Sequence, residues 1–190
     1  MQALERTPVI AGIKNLTDVE TALDAGVEIL FFLSGTIFDL QSLANQAWRR
    51  RALVFAHVDL LQGIGRDVPG MRFLAREIQV DGVLTTRTQL IKAAKDEGLY
   101  AIQRFFMLDS EALKTAVNVL KNSRPDAVEI LPALILPHIW HRLPIAQLPP
   151  IIAGGLVETP AELEAVLRTP VKAVSTSRPD LWSYRPAASS

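Results

Sequence analysis

Two stretches near the end of the chain combine small residues and hydroxyls in a way that suits an anion. Pro150-Ile151-Ile152-Ala153-Gly154-Gly155-Leu156 is an apolar run cut off by a glycine pair, and Ala173-Val174-Ser175-Thr176-Ser177 ends in three hydroxyls. A few apolar residues stopped by glycine read as a buried parallel strand with a tight turn behind it. Without a Cβ, backbone N–H groups approach a ligand closely. Ser177 stands where it would cap a short helix opening at Arg178-Pro179-Asp180. Taken singly, each stretch is no more than a tight turn between strand and helix. Taken together, at consecutive strand ends, they form a cup of the kind that holds phosphate after strands seven and eight of a (β/α)8 barrel.

Ionisable residues fall at other strand ends. Phe55, His57 and Asp59 alternate with Ala56 and Val58, which puts His57 and Asp59 on one face of an extended run. Lys14 follows Gly12-Ile13, Thr85-Thr86 follows Gly82-Val83-Leu84, and Glu129 sits within Ala127-Val128-Glu129-Ile130-Leu131. A carboxylate in so apolar a run is paired with a cation or serves a ligand. Gln103 and Arg104 point to opposite faces, so one of them enters a barrel, and the sequence leaves open which. Lys14, Asp59, Arg104 and Glu129 then read either as a salt-bridge network in a barrel mouth or as the polar wall of a ligand site.

Eight apolar segments alternate with helical patterns: Val9–Ile13, Ile29–Leu33, Ala52–Leu60, Gly82–Leu84, Tyr100–Phe105, Ala127–Leu131, Ile151–Ala153 and Ala173–Val174. That alternation implies parallel βα units. Capping boxes are expected at Thr17–Glu20 and Thr159–Glu162, a similar start at Thr86–Gln89, and an Asp109 cap on the next helix. Within Leu90–Glu97 the apolar and charged residues alternate as on an outer amphipathic helix. Gly-x-Gly-x-x-Gly does not follow the first segment, which counts against a doubly wound open sheet. The expected fold is α/β: one compact (β/α)8 TIM-type barrel with short loops over residues 1–190, Leu181-Trp182 docking a last helix and 185–190 a frayed tail.

Composition narrows the field further. Hydrophobic residues make up 49% of the 190, which excludes a disordered chain. Lys+Arg and Asp+Glu both number 20, so any nucleic-acid contact must come from a local patch. Absence of cysteine rules out disulfides, thiol nucleophiles and thiolate metal sites. Met1 to Pro8 lacks a signal-peptide pattern, and the apolar region Ala127 to Ala153 is broken by five prolines, so no membrane span is expected. His138 and His141 have the spacing of a metal pair, yet no third ligand supports them and no metal is expected. Arg49-Arg50-Arg51 suits a helix C-terminus, with an RNA contact as the sharper alternative. Trp48, Trp140 and Trp182 read as packing anchors rather than stacking platforms.

Several of these segments resemble the glycerol uptake operon antiterminator family. The resemblance is carried by Phe55-Ala56-His57-Val58-Asp59-Leu60-Leu61-Gln62-Gly63, by Asp81-Gly82-Val83-Leu84-Thr85-Thr86, and most specifically by Ala101-Ile102-Gln103-Arg104-Phe105-Phe106-Met107-Leu108-Asp109-Ser110. Asp126 to Pro132, Ile151 to Leu156 and Ala173 to Ser177 complete it, so that it spans Pro8 to Trp182. Gln62 stands where the family pattern carries Glu, and Ala133 where Gly often follows Leu-Pro.

The resemblance implies a cytoplasmic regulator rather than an enzyme. It implies no cofactor, an effector in glycerol 3-phosphate, and as partner the leader mRNA of a glycerol-utilisation operon. On that reading Gly154, Gly155, Ser175 and Thr176 hold the phosphate and Lys14 or Arg104 balances its charge. Asp59, Glu129, His57 and Thr85 then meet the glycerol hydroxyls. Candidate RNA contacts are Arg49, Arg50 and Arg51, or Arg87, Lys92 and Lys95; a homo-oligomer is left open. The competing reading is a small phosphosugar isomerase, aldolase or lyase, with His57, Asp59 and Glu129 as acid and base and Lys14 as cation or Schiff-base former.

Overall fold

Alternate residues of the eight apolar runs turn to the same side, and the two sides fill different cores. The computed structural model describes residues 7–186. Strands β1 (Val9–Ile13), β2 (Ile29–Phe32), β3 (Leu53–His57), β4 (Gly82–Thr85), β5 (Tyr100–Phe106), β6 (Ala127–Leu131), β7 (Ile151–Gly154) and β8 (Ala173–Thr176) pair in parallel in chain order. β8 closes on β1 through Val9↔Val174, Ile10↔Ser175 and Ala11↔Thr176. The expected TIM-type barrel is the fold.

Inside the barrel, Ile10, Ile29, Phe31, Phe55, Leu84, Ile102, Ala127, Ile152 and Ala173 form one small cluster. The intervening residues, such as Val9, Leu30, Val54, Val83, Ala101 and Val128, belong to a larger cluster shared with the helices. Strand side chains alternate faces. Stepping two residues beyond the inner cluster therefore brings Gly12, His57, Arg104, Glu129, Gly154 and Ser175 inward, one layer nearer the C-terminal mouth. Arg104 thus enters the barrel. Gln103 faces the outer layer, 1% exposed, with its amide donating to the Thr86 carbonyl.

The outer layer comprises α1 (Asp18–Asp24), α2 (Ile37–Arg49), α3 (Val68–Phe73), α4 (Thr88–Asp96), α5 (Ser110–Ser123), α6 (Leu136–Ile139), α7 (Pro160–Leu167) and α8 (Pro179–Trp182). The capping box at Thr159–Glu162 forms, and Asp109 accepts from the Ala112 N–H. The one expected at Thr17 does not: Thr17 is itself helical, at φ −60°, and its side chain caps nothing. Nor does a Thr86 cap open α4, because that hydroxyl is turned to Asp59. Ser177 does not cap α8 either; the Arg178 N–H is met by the Thr176 hydroxyl at 3.2 Å.

β3 ends at His57 rather than running to Leu60, and residues 58–60 form a turn. Beyond it Leu61–Gln62 pairs in parallel with Gly35–Thr36, a two-stranded strap outside the barrel. Thr36 and Asp39 close a capping box on α2 directly behind that strap. Thr36→Ala is expected to lower the unfolding free energy by about 1 kcal/mol. Urea denaturation would read this as a lower midpoint with the slope kept; an unchanged midpoint would show that the strap holds the helix start without the box.

Trp182 is buried and donates its indole N–H to the Thr176 carbonyl at 2.9 Å, so the last helix docks as expected. Arg185 is not frayed. Its guanidinium donates to the carbonyls of Ala25, Gly26, Trp182 and Tyr184, while residues 187–190 of the expected tail lie outside the described residues. Among the described residues no helix is long and apolar enough to cross a membrane.

Candidate ligand-binding site

The inward polar layer forms the floor of a cavity of about 470 Å³ at the C-terminal mouth. Gly12, Lys14, Leu33, Ser34, His57, Leu60, Arg104, Leu131, Gly155 to Glu158 and Ser175 to Arg178 line it. Strands β1, β3, β5, β6 and β8, with the loops after β1, β2, β3, β7 and β8, all contribute. Of the residues expected at the site, Lys14, His57, Arg104, Gly155, Ser175 and Thr176 reach this cavity.

Glu129 and Gly154 lie immediately beneath it. Glu129 is 1% exposed; Oε1 accepts from the Ser175 hydroxyl at 2.7 Å, and Oε2 lies 2.5 Å from Nε of Arg104. That last contact is ionic, off the line of the N–H bond. The register Arg104↔Glu129 puts the pair on adjacent strands at the same height. A Cβ on Gly154 would overlap Glu129 Oε1 and stand 2.7 Å from the Ser175 hydroxyl, so a buried carboxylate occupies the space that glycine leaves.

Above the pair, the Arg104 guanidinium reaches His57, with Nη1 3.0 Å from Nε2. Nδ1 of the same ring faces the Leu33 carbonyl at 3.4 Å. Arg104 Nη1 also lies 3.3 Å from Nδ1; because the guanidinium only donates and the Leu33 carbonyl only accepts, we assign the proton to Nδ1, facing Leu33, and leave Nε2, the nearer nitrogen, to accept from Arg104. Burial and the Arg104 charge push the His57 pKa down to about 4. His57 is therefore a neutral acceptor that helps aim Arg104.

Asp59 and Thr85 were both expected in the ligand wall, but they meet each other instead. Thr85 is fully buried on the outward face, and its hydroxyl donates to Asp59 Oδ1 at 2.9 Å. Oδ2 accepts from both the N–H and the hydroxyl of Thr86. Burial raises the Asp59 pKa, but these hydrogen bonds outweigh it and hold the carboxyl below its ordinary value. Asp59 sits on the turn after β3, 3.8 Å from His57 Nε2, and joins that turn to the end of β4.

At the expected cup, Gly155 has φ 82°, a left-handed conformation that glycine permits, and Leu156 follows at φ 64°. Of the hydroxyls, Ser175 donates to Glu129 and Thr176 to the Val157 carbonyl. Ser177 lines the cavity beside Gly12, where a Cβ would stand 2.8 Å from its Oγ. Sequence reasoning missed Gly12, Ser34 and Arg178 as lining residues, and it counted Ser177 among the hydroxyls of the cup but gave it the role of a helix cap. Strand parity finds Gly12 one inward step beyond the core residue Ile10, and Ser177 one step beyond Ser175. Arg178 pairs with Asp180, whereas Lys14 has no carboxylate partner among the described residues.

The two alternative sets of basic residues named for RNA differ in their partners. Arg87 lies 3.5 Å from Asp59, Lys92 pairs with Asp96, and Lys95 pairs with Asp126. Arg50 pairs with Asp24. Arg49 and Arg51 are exposed and have no carboxylate partner among the described residues. Trp48 is no packing anchor: it is 81% exposed. His138 ends up on α6 and His141 on the following 3₁₀ turn, and the described residues hold no group suited to a metal.

A closed parallel barrel with a cavity at its C-terminal mouth defines the class: a TIM-type barrel. The family is narrower. The sequence model of the glycerol-3-phosphate responsive antiterminator family matches residues 9–182, and the chain belongs to that family. The glycerol uptake operon antiterminator regulatory protein from Listeria monocytogenes str. 4b F2365 superposes with a TM-score of 0.84 at 32% identity, over 93% of this chain and 95% of that one. An antiterminator-related protein from Thermotoga maritima gives 0.82 at 28%, over 94% and 99%. The uncharacterized protein YgcP of Escherichia coli K12 is 30% identical over 96% of this chain and 95% of its own. Barrel enzymes are also similar, among them a Zymomonas mobilis 2-keto-3-deoxy-6-phosphogluconate aldolase at TM-score 0.67 over 93% and 83%; at 15% identity that likeness shows the fold alone.

Proposed function

We propose that this protein is a cytoplasmic, glycerol-3-phosphate-responsive antiterminator that binds the leader mRNA of a glycerol-utilisation operon. Its effector's phosphate sits over the ends of β7 and β8. The observation that carries this reading is the mouth cavity, in which the glycine turn at Gly155, the Ser177 hydroxyl and Lys14, without a carboxylate partner among the described residues, converge in a chain of this family. Backbone amides at such a turn, a hydroxyl and a cation are what a phosphate monoester needs. Arg104, held by Glu129 and His57, is placed to meet the glycerol hydroxyls. The regulatory reading is favoured over the phosphosugar enzyme by the state of the carboxylates. Both Asp59 oxygens accept hydrogen bonds, and Glu129 lies beneath Arg104 and Ser175.

Calorimetry with glycerol 3-phosphate, glycerol and inorganic phosphate tests the site. The ester is expected to bind, and Lys14→Met to weaken it by about 10- to 100-fold, the value of one charge-assisted contact. A side chain at Gly155 is a poorer test, because its positive φ strains any replacement. No heat with the ester, from a folded protein, would remove the effector; equal affinity in Lys14→Met would move the phosphate elsewhere.

A further inference from the structure

The last turn of α2 carries a combination that packing does not explain. Trp48 is 81% exposed, and Arg49 and Arg51 follow it one and three positions later, with their guanidiniums free of carboxylates among the described residues. Cations at a helix C-terminus complement its dipole. That accounts for Arg49 and for Arg50, which is also paired with Asp24. It does not account for an indole left in water, since tryptophan is on average among the well-buried residues. Nor does it account for Arg51, which sits past the helix at φ 57°.

An exposed indole beside free guanidiniums matches the two faces of single-stranded nucleic acid. Bases stack on an aromatic plane, and guanidiniums take phosphate oxygens in pairs. Single-stranded RNA offers unstacked bases to such a platform, whereas a double helix hides them. The geometry points to Trp48, Arg49 and Arg51 as a contact surface for single-stranded RNA, at the end of the barrel opposite the ligand cavity. This rests on the antiterminator reading and gives its RNA partner a place. It also separates the two groups of candidate residues, because Arg87, Lys92 and Lys95 each lie beside a carboxylate. α2 begins at the strap beside the cavity and ends at this surface, a span of about 20 Å for its 13 residues.

The test selects binders from a random 20-nucleotide RNA pool with the full-length protein and glycerol 3-phosphate. It then titrates the enriched RNA against wild type, Trp48→Ala, and Arg49→Gln with Arg51→Asn, asparagine being tolerant of the left-handed backbone. Trp48→Ala is expected to weaken binding by about 5- to 150-fold, the range for losing one stacked base. The arginine pair should flatten the slope of log affinity against log salt by about 1.4, two phosphate contacts on a single strand. All three side chains are exposed, so circular dichroism and glycerol 3-phosphate binding should match wild type. Unchanged RNA affinity and salt slope in both variants would overturn the surface while leaving the antiterminator reading intact. A pool that yields no binder would overturn that reading and the surface with it. If Trp48→Ala instead turns an oligomer into a monomer in sedimentation, with RNA affinity kept, the occupant is a second copy of the chain and the inference fails.

Discussion

Glu129→Gln should lower the unfolding free energy by about 3–5 kcal/mol, the usual loss when one partner of a buried ion pair is removed. The amide keeps the shape of the side chain, and its oxygen still accepts from Ser175. The change therefore isolates the charge. What remains is Arg104, with a side chain only 10% exposed, facing a neutral group in place of its carboxylate. His57 cannot compensate, being a neutral acceptor that holds one N–H. Urea denaturation at neutral pH reads the loss, and an unchanged slope confirms that the same surface unfolds. A double variant, Glu129→Leu with Arg104→Met, should recover most of it, because neither buried charge is then left alone. If Glu129→Gln keeps the wild-type midpoint, Arg104 is solvated from the mouth and the ionic floor contributes little.

Acid should destabilise the protein before its carboxylates titrate. His57 has a folded pKa of about 4 against an ordinary value of 6.5, so over that window the unfolded chain binds a proton that the folded chain refuses. Stability is then complete above about pH 6.5 and falls as pH drops toward 4, by about 3 kcal/mol in all. Below that, both states are protonated and this contribution flattens. Asp59, held below its ordinary value, adds a loss below the ordinary carboxylate range, whereas Asp81, raised mainly by burial, adds a gain as pH falls toward that range and so works against the His57 loss. Denaturation midpoints across pH 4–7 for wild type and His57→Gln separate these effects. The difference between the two curves should carry the His57 slope, and parallel curves would show that the imidazole is already solvated in the folded state.

Strand parity explains both what the sequence disclosed and what it hid. Apolar runs ending in glycine or hydroxyls disclosed the eight barrel strands, since a doubly buried parallel strand has few other ways to look. The inward position of Glu129 followed from its apolar surroundings. Asp59 misled because alternation through Val58 was extended past the real strand end at His57. A turn there rotates the carboxylate onto Thr85 and Thr86, and no residue between Phe55 and Leu60 is a glycine or proline to announce it. Ser177 was read as a cap because the cap signal and the ligand-lining signal are the same residue type. The parity argument, carried one step past Ser175, distinguishes them. Trp48 was read as an anchor because most tryptophans are, and exposure is settled by which helix face meets the barrel.

The filled space beside Gly154 has a consequence for how this barrel drifts. The space a methyl group would take there already holds a carboxylate oxygen of Glu129, with the Ser175 hydroxyl close behind. Any replacement at 154 is therefore closed while Glu129 stands. Shortening position 129 first strands Arg104, unless that residue has changed beforehand. Changing Arg104 first strands the buried Glu129 carboxylate in the same way, so that pair changes together, and position 154 opens only once Glu129 is gone. Lineages that carry a side chain at 154 should have replaced Glu129 and Arg104 as well, which an alignment of the family can check without an experiment.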